Sequence, residues 1–174
     1  GVIPIFSDKM NYISWKHAAP SFINMTIDHN KTNRYSLFKS IMENAAIVSY
    51  NNIKTIENFS NINIDYLTFA GGAANDPVWC QILSDVLQLE VRTTKVKEAT
   101  ALGAAICAYV GIGLYKDFYE AVDVAVKKDA IYYPNKNNSE TYNNLINRFN
   151  DVYKIQLELA DKNLTTHMWK APGE

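Results

Sequence analysis

The sequence predicts an α/β domain with a mixed sheet flanked by helices. Short apolar runs rich in β-branched residues alternate with longer runs of helical periodicity, and a glycine-rich turn joins one predicted strand to the next helix. At 174 residues, with 48% hydrophobic and 20% charged residues, the chain carries enough apolar side chains for one domain with a buried core.

The predicted elements follow this alternation from the first residue onwards. Residues 1–6 and 21–27 are apolar and β-branched, which predicts two strands separated by the polar, aromatic connection KMNYISWKHAAP. Apolar positions recur at helical spacing over 34–59, which predicts a long helix capped by Thr32 or Asn33. The remaining predicted elements are a buried strand over 67–70, a strand over 90–94 and helices over 77–87, 98–110, 118–127 and 139–162.

Three expectations concern the surroundings of particular residues. The helix predicted over 98–110 is rich in alanine and glycine, which favours close approach to a neighbour and tight burial. Cys80 and Cys107 each lie in an apolar helical pattern, so we expect two buried thiols rather than metal ligands or nucleophiles. The histidines lie in polar segments and are predicted to be solvated loop residues: His17, His29 and His167.

The charge balance argues against two classes of partner. With 17 basic and 18 acidic residues the net charge is −1, whereas a nucleic acid or an anionic membrane surface requires clustered basic side chains. No apolar stretch is long enough to cross a bilayer, and two cysteines imply no disulfide framework. We therefore expect a cytoplasmic protein without a nucleic-acid or membrane partner.

The segment LTFAGGAANDPVW, residues 67–79, carries the clearest chemical signal. Gly71 and Gly72 open backbone conformations that other residues disfavour and leave their amides uncovered, whereas Asp76 and Pro77 are typical of the start of a helix. A nucleotide sugar, base or phosphate can lie against such a turn, near the positive end of the helix dipole. The alternative is a strand-to-helix turn in which the glycines serve only to reverse the chain.

Several other phosphate-binding and catalytic motifs are excluded. A P-loop requires Lys followed by Ser or Thr after its last glycine, and residues 73–76 read AAND. A dinucleotide fingerprint requires a third glycine where Asp76 stands, and an acidic residue at the end of the next strand. No serine stands in a nucleophile-elbow context, and no residue is identified as a general base or a metal ligand.

The segments FAGGAANDPVWCQILSDVLQLEV and VKEATALGAAICAYVGIG are more specific together than apart. Together they resemble the C-terminal domain of the FGGY carbohydrate kinases, in the actin-like ATPase superfamily with its ribonuclease H-like fold. The resemblance implies that Gly71, Gly72 and Ala73 pack against the adenosine or α-phosphate of ATP. Asn75 and Asp76 belong to the same implied ATP site, with Asp76 at the adenine or ribose. Ala73 stands where the family often has glycine.

The resemblance also implies what lies outside this chain. It extends over residues 1–173 and identifies 1–174 as a C-terminal nucleotide-binding domain that ends in a tail, residues 163–174. Family members take the catalytic base from an aspartate of an N-terminal domain, so no catalytic residue is assigned in this chain. The chain begins without Met on a strand-like segment, which suggests a fragment of a longer enzyme. Its oligomeric state, a homodimer included, stays open.

The implied reaction is transfer of the ATP γ-phosphoryl group to a primary hydroxyl of a sugar-like substrate, with Mg²⁺ bridging the phosphates. Four segments resemble a narrower subgroup of the family: WKHAAPSFINMTID, SLFKSIMENAAIVS, VKEATALGAAI and LTTHMWKAPG. This narrower resemblance implies 4,5-dihydroxy-2,3-pentanedione as the substrate, phosphorylated at its terminal hydroxyl. Two alternatives stay open: a kinase for another small sugar or polyol, such as a pentulose or glycerol, and a non-catalytic actin-like nucleotide-binding module.

Overall fold

A computed structural model describes residues 1–8 and 16–173 and divides the chain into two units. The first unit contains the described residues of 1–64, 85–88 and 135–174, and the second contains 65–84 and 89–134. Most of the polar, aromatic connection that follows the first predicted strand lies outside the described residues. Within the described part of the chain, no helix is long and apolar enough to cross a bilayer.

A long helix, α1 (Arg34–Ser60), runs through the first unit. Asn33 precedes it in an extended conformation, and its Oδ1 accepts hydrogen bonds from the amides of Tyr35 and Ser36 at 3.0 and 3.1 Å. The Ser36 hydroxyl in turn accepts from the Asn33 amide at 2.9 Å, which completes a reciprocal cap. The long predicted helix is confirmed, and of the two caps considered the structure selects Asn33.

Two antiparallel ribbons and a second long helix complete the first unit. Strand β1 (Ile3–Ile5) pairs with β3 (Ser21–Ile23), and β2 (Lys16–Ala18) pairs with β7 (His167–Lys170). Helix α5 (Ser139–Asp161) follows the predicted C-terminal helix closely. Strands β1 and β3 confirm the two predicted strands, whereas β2 and β7 have no counterpart in the sequence prediction. The fully buried side chains of this unit include Ile3, Ile5, Ile47 and Phe149.

The ribbon of β2 and β7 places two histidines in strands rather than in loops. The Nδ1 atom of His17 lies 3.4 Å from the hydroxyl of Tyr153, and Nε2 of His167 lies 2.8 Å from Oδ1 of Asp161. Both histidines are half-buried, so the prediction of solvated loop residues is wrong for them and holds for His29, in an exposed turn. The two strands come from opposite ends of the chain, and such a pairing leaves no local sequence pattern.

A three-stranded mixed sheet forms the centre of the second unit. Strand β4 (Tyr66–Phe69) pairs in parallel with β5 (Glu90–Thr94), which pairs in antiparallel fashion with β6 (Lys128–Tyr132). The predicted mixed sheet is confirmed, although β6 has no predicted counterpart because its sequence, KDAIY, opens with two charged residues. The predicted helices of this region are confirmed as α2 (Pro77–Leu87), α3 (Ala99–Gly111) and α4 (Phe118–Ala125).

Three expectations about burial in this region are wrong. Strand β4 is partly exposed rather than buried, because it is an edge strand of the described sheet. Ile106 is the one buried residue among the described residues of α3, and Cys107 on the same helix is exposed. Cys80 is buried, as predicted. A helix that is apolar on every side has no periodic pattern to indicate which side a neighbour covers.

Candidate functional site

The turn that follows β4 begins with a backbone conformation that only glycine adopts without strain. Gly71 has a φ of 90° and a ψ of −177°, a region that residues with a β-carbon disfavour. Its amide donates a hydrogen bond of 2.9 Å to the carbonyl of Lys97, in the loop between β5 and α3. The end of β4 is therefore tied to the loop that follows the neighbouring strand.

A short 3₁₀ helix, Gly72–Asn75, forms the middle of the turn. Ala74 is buried, and its amide donates to the Gly71 carbonyl at 3.1 Å. The Ala74 carbonyl accepts a hydrogen bond from the Cys80 thiol at 3.7 Å. The two end residues of the 3₁₀ helix are exposed. The turn is thus anchored on its inner side and open on its outer side.

The outer side of the turn leaves room for a ligand against the main chain. A β-carbon added at Gly71 or Gly72 would meet no neighbouring heavy atom within 4 Å. Ala73, the third residue of the implied contact, is half-buried and adds only a methyl group. A purine or a ribose can approach the backbone here, so the residues present fit the ATP that the family resemblance implies.

Asp76 uses its carboxylate to begin α2. Its Oδ1 accepts hydrogen bonds from the amides of Val78 and Trp79 at 2.8 and 3.3 Å, which satisfies N–H groups that a helix leaves without partners at its start. The helix start predicted at Asp76 and Pro77 is confirmed. Because the carboxylate itself occupies this helix terminus, a hydroxyl that donates to it is better accommodated there than a phosphate group.

The sequence analysis assigns no role to Lys97, although this lysine lies in the segment VKEATALGAAI. In the structure its Nζ lies 2.9 Å from Oδ2 of Asp129, on β6. This hydrogen bond holds the pKa of the Asp129 carboxyl below its usual value. The carbonyl of Lys97 is also the acceptor for the Gly71 amide. The sheet brings these three residues together, and their spacing along the chain carries no signal of it.

The described residues offer no metal cluster at the turn or elsewhere. Within residues 1–8 and 16–173, no group of three or more His, Cys, Asp or Glu side chains could hold a metal ion. The buried carboxylate of Asp85 accepts hydrogen bonds from the Asn135 amide and from Nδ2 of Asn138, at 2.8 and 2.7 Å. It fastens the segment before α5, which is a structural role rather than that of a general base.

Two clefts lie away from the outer side of the turn. One of about 400 Å³ belongs to the first unit and is lined in part by Lys39 and Glu43, which form an ion pair with each other. A smaller cleft of about 190 Å³ lies beside α3 in the second unit and reaches Ala70, next to the turn. Neither cleft includes any of the five residues of the implied ATP site. The glycine turn stays the candidate site.

The chain is similar to curated bacterial proteins over nearly its whole length. It is 50% identical to an autoinducer-2 kinase of Enterobacter sp. (strain 638), 49% identical to one of Photorhabdus laumondii and 47% identical to one of Escherichia coli K12. Each likeness extends over 173 residues, which is 99% of this chain and 33% of the relative. The chain thus spans about a third of the length of the curated relatives it matches.

Solved structures of sugar kinases share the fold. Plasmodium falciparum glycerol kinase, crystallised with ADP, has a TM-score of 0.69 at 20% identity, over 87% of this chain and 30% of that one. Xylulose kinase from Lactobacillus acidophilus has a TM-score of 0.65 at 21% identity, over 82% of this chain and 28% of that one. The predicted α/β fold of the actin-like ATPase type is confirmed.

The family resemblance drawn from the two motif segments is also confirmed. Residues 2–112 match the family described as "FGGY family of carbohydrate kinases, C-terminal domain". The match extends from β1 to the end of α3 and contains the whole glycine turn. The chain therefore belongs to the FGGY family of carbohydrate kinases.

Proposed function

We propose that this chain is the C-terminal, nucleotide-binding domain of a kinase for autoinducer-2. The acceptor would be the linear form of the signal, 4,5-dihydroxy-2,3-pentanedione, at its terminal hydroxyl. The observation that carries the proposal is the identity of 47–50% to autoinducer-2 kinases over 99% of the chain. The likeness extends through α5 and β7, beyond the family match that ends at residue 112.

In this proposal the glycine turn receives the adenosine part of ATP. Gly71 and Gly72 present main chain without side chains, and the Ala73 methyl group adjoins them. The Asp76 carboxylate accepts a hydrogen bond from a ribose hydroxyl, while its charge keeps the phosphates at a distance. Asn75 is exposed at the end of the 3₁₀ helix and can offer its amide group to the base.

Phosphoryl transfer needs two contributions that we place outside this chain. One is the general base for the acceptor hydroxyl, which we assign to an aspartate of an N-terminal domain. The other is Mg²⁺, which bridges the phosphates and neutralises charge in the transition state. The described residues hold no cluster for it, so we propose that it binds through the nucleotide. This chain contributes binding and orientation, which lower the barrier by holding the reactants in line.

The product of this reaction would be trapped in the cell. A phosphate ester carries charge and cannot diffuse out through a bilayer, since a charged group is costly to transfer into an apolar phase. We therefore place the reaction in the cytoplasm, where ATP is available, as a step in the processing of an imported quorum-sensing signal.

The proposal is tested by assaying the intact protein with the pentanedione, xylulose, ribulose and glycerol. We expect the highest kcat/KM for the pentanedione. Gly72→Val should raise the KM for ATP by about tenfold and leave the KM for the acceptor unchanged, because a branched side chain blocks the approach to the main chain. Gly111→Val is the matched control, since its β-carbon also meets no neighbour within 4 Å.

The other outcomes assign the chain differently. A clear preference for a ketose or for glycerol would assign the chain to a kinase of the same family with a different substrate. Absence of ATP-dependent phosphorylation with every acceptor would favour a non-catalytic nucleotide-binding module. An equal rise of the KM for ATP in the Gly72 and Gly111 variants would contradict the location of the site.

A further inference from the structure

The loop after β5 holds the glycine turn through a main-chain hydrogen bond. The Gly71 amide donates to the Lys97 carbonyl at 2.9 Å. On either side of Lys97, the residues Lys95, Val96 and Glu98 are exposed. Hydrogen bonds rather than packing of these side chains therefore hold this segment, and one of them runs from the Ala99 amide to the same carbonyl at 2.8 Å. Any interaction that orients Lys97 therefore also orients the first residue of the turn.

The side chain of Lys97 supplies such an interaction. Only 19% of it is exposed, and its Nζ lies 2.9 Å from Oδ2 of Asp129. Asp129 belongs to β6, which β5 separates from β4 in the sheet. The charge-assisted hydrogen bond thus connects the far strand of the sheet to the turn at the end of β4.

The same side chain also lies near the inner anchor of the turn. Burial raises the pKa of the Cys80 thiol, and the nearby Lys97 ammonium group opposes that rise. The Cys80 thiol donates to the Ala74 carbonyl at 3.7 Å. Lys97 therefore holds one anchor of the turn directly, through its carbonyl at Gly71, and its charge acts on the thiol of the other anchor, Cys80.

We propose that Lys97 is a positioning residue for nucleotide binding. Its ion pair with Asp129 fixes the carbonyl that holds the Gly71 amide, and so shapes the turn before the ligand arrives. The inference rests on the proposed function, in which this turn binds ATP. Neither charged group touches the nucleotide. Their effect is to reduce the entropy that the turn loses on binding, because a preorganised site has less to order.

Four variants of the intact protein separate this role from a direct contact. Lys97→Met and Asp129→Asn each break the pair, Lys97→Arg keeps it, and Lys128→Met removes an exposed charge from the same strand as a control. We expect the first two to raise the dissociation constant for ATP by about twofold to fivefold, the range of a partly exposed ion pair. The KM for the acceptor stays unchanged, and hydrogen exchange at the Gly71 amide accelerates. The arginine variant and the control stay near wild type.

A direct contact of Lys97 with a phosphate predicts a different pattern. Asp129→Asn would then leave ATP affinity unchanged or increase it, because the ammonium group would be freed for the ligand. That result overturns the positioning role, as does an unchanged affinity in Lys97→Met or an equal loss in Lys128→Met. If the wild-type protein binds no ATP, the proposed function fails and this inference fails with it. Wild-type binding with unaffected variants rejects the positioning role alone.

Discussion

The two adjacent glycines of the turn differ in what requires them. Gly71 has a positive φ, so its own backbone conformation excludes other residues. Gly72 has no such requirement, and the space beside it is open. A side chain at Gly72 would therefore be tolerated by the folded chain and resisted only by a ligand. In the sequence the two glycines look alike, so the sequence does not show which one is required by its backbone conformation and which one leaves space for a ligand.

Gly71→Ala should lower the free energy of unfolding by about 1–2 kcal/mol, because a β-carbon is strained at this φ. Gly72→Ala is the matched comparison and should change it by no more than about 0.5 kcal/mol, as at an unstrained surface position. Denaturant unfolding of both variants measures the difference. Equal losses would contradict a backbone requirement confined to Gly71.

Residue-level features could be predicted where their cause is local. The cap at Asp76 and the helix start at Pro77 depend on neighbouring amides, and both are read directly from the segment AANDPVW. The Lys97 pair with Asp129 depends on the order of strands in the sheet. Lys97 lies in a predicted loop and Asp129 follows a predicted helix in a segment with no predicted element, so the sequence alone could not identify the pair.

The same division between local and distant causes holds for whole elements. Helix α2 and strand β5 have the bounds that the sequence predicts, because α2 covers one apolar pattern of helical spacing and β5 is a short run rich in β-branched residues. Strand β2 pairs with β7 across nearly the full chain, with Lys16 opposite Lys170. Their sequences, KHA and HMWK, contain no β-branched residue, so neither strand is recognised without its partner. The exposure of α3 could not be predicted either, because its small apolar residues are compatible with both a buried and an exposed helix face.

Helix α5 supports this long-range ribbon through Asp161, which pairs with Lys16 and His167, and through the buried hydroxyl of Tyr153. The Tyr153 hydroxyl accepts a hydrogen bond from the Ala18 amide at 3.2 Å, and burial raises the pKa of Tyr153 to about 12. A tyrosine of the unfolded chain titrates near 10. Because the folded state holds this proton more tightly, its contribution to stability is complete below about pH 10 and is lost as the pH rises towards 12.

Tyr153→Phe should therefore be less stable than wild type at pH 8, by about 1 kcal/mol, since the Ala18 amide loses its acceptor. Above about pH 10 the difference should shrink, because only the wild type has this group to ionise. Denaturant unfolding at pH 8 and 11 measures both values. Tyr119→Phe, at a side chain that is 89% exposed, is the control and should show no such change. A difference that stays constant with pH would rule out this role for Tyr153.

At the scale of the whole molecule, fold class and family follow from composition and two motif segments, but the chemistry of transfer does not. The candidate site consists of main-chain groups and one capping carboxylate, which are suited to binding and orienting a ligand. Proton transfer requires a group held at the acceptor hydroxyl. The buried aspartate Asp85 already serves the fold as a hydrogen-bond acceptor. We therefore expect this chain, when it is studied alone, to bind nucleotide but not to catalyse phosphoryl transfer.

The 174-residue chain should bind nucleotide without transferring phosphate. In two-dimensional amide NMR spectra, ADP or ATP should shift the signals of residues 71–76, and Gly72→Val should suppress these shifts. With ATP, Mg²⁺ and the pentanedione, the chain alone should form no phosphorylated product, while the intact protein does so under the same conditions. Phosphorylation by the chain alone would show that it contains the base. Shifts confined to residues outside 71–76 would instead refute the glycine turn as the site, because a ligand at the turn must alter the surroundings of its amides.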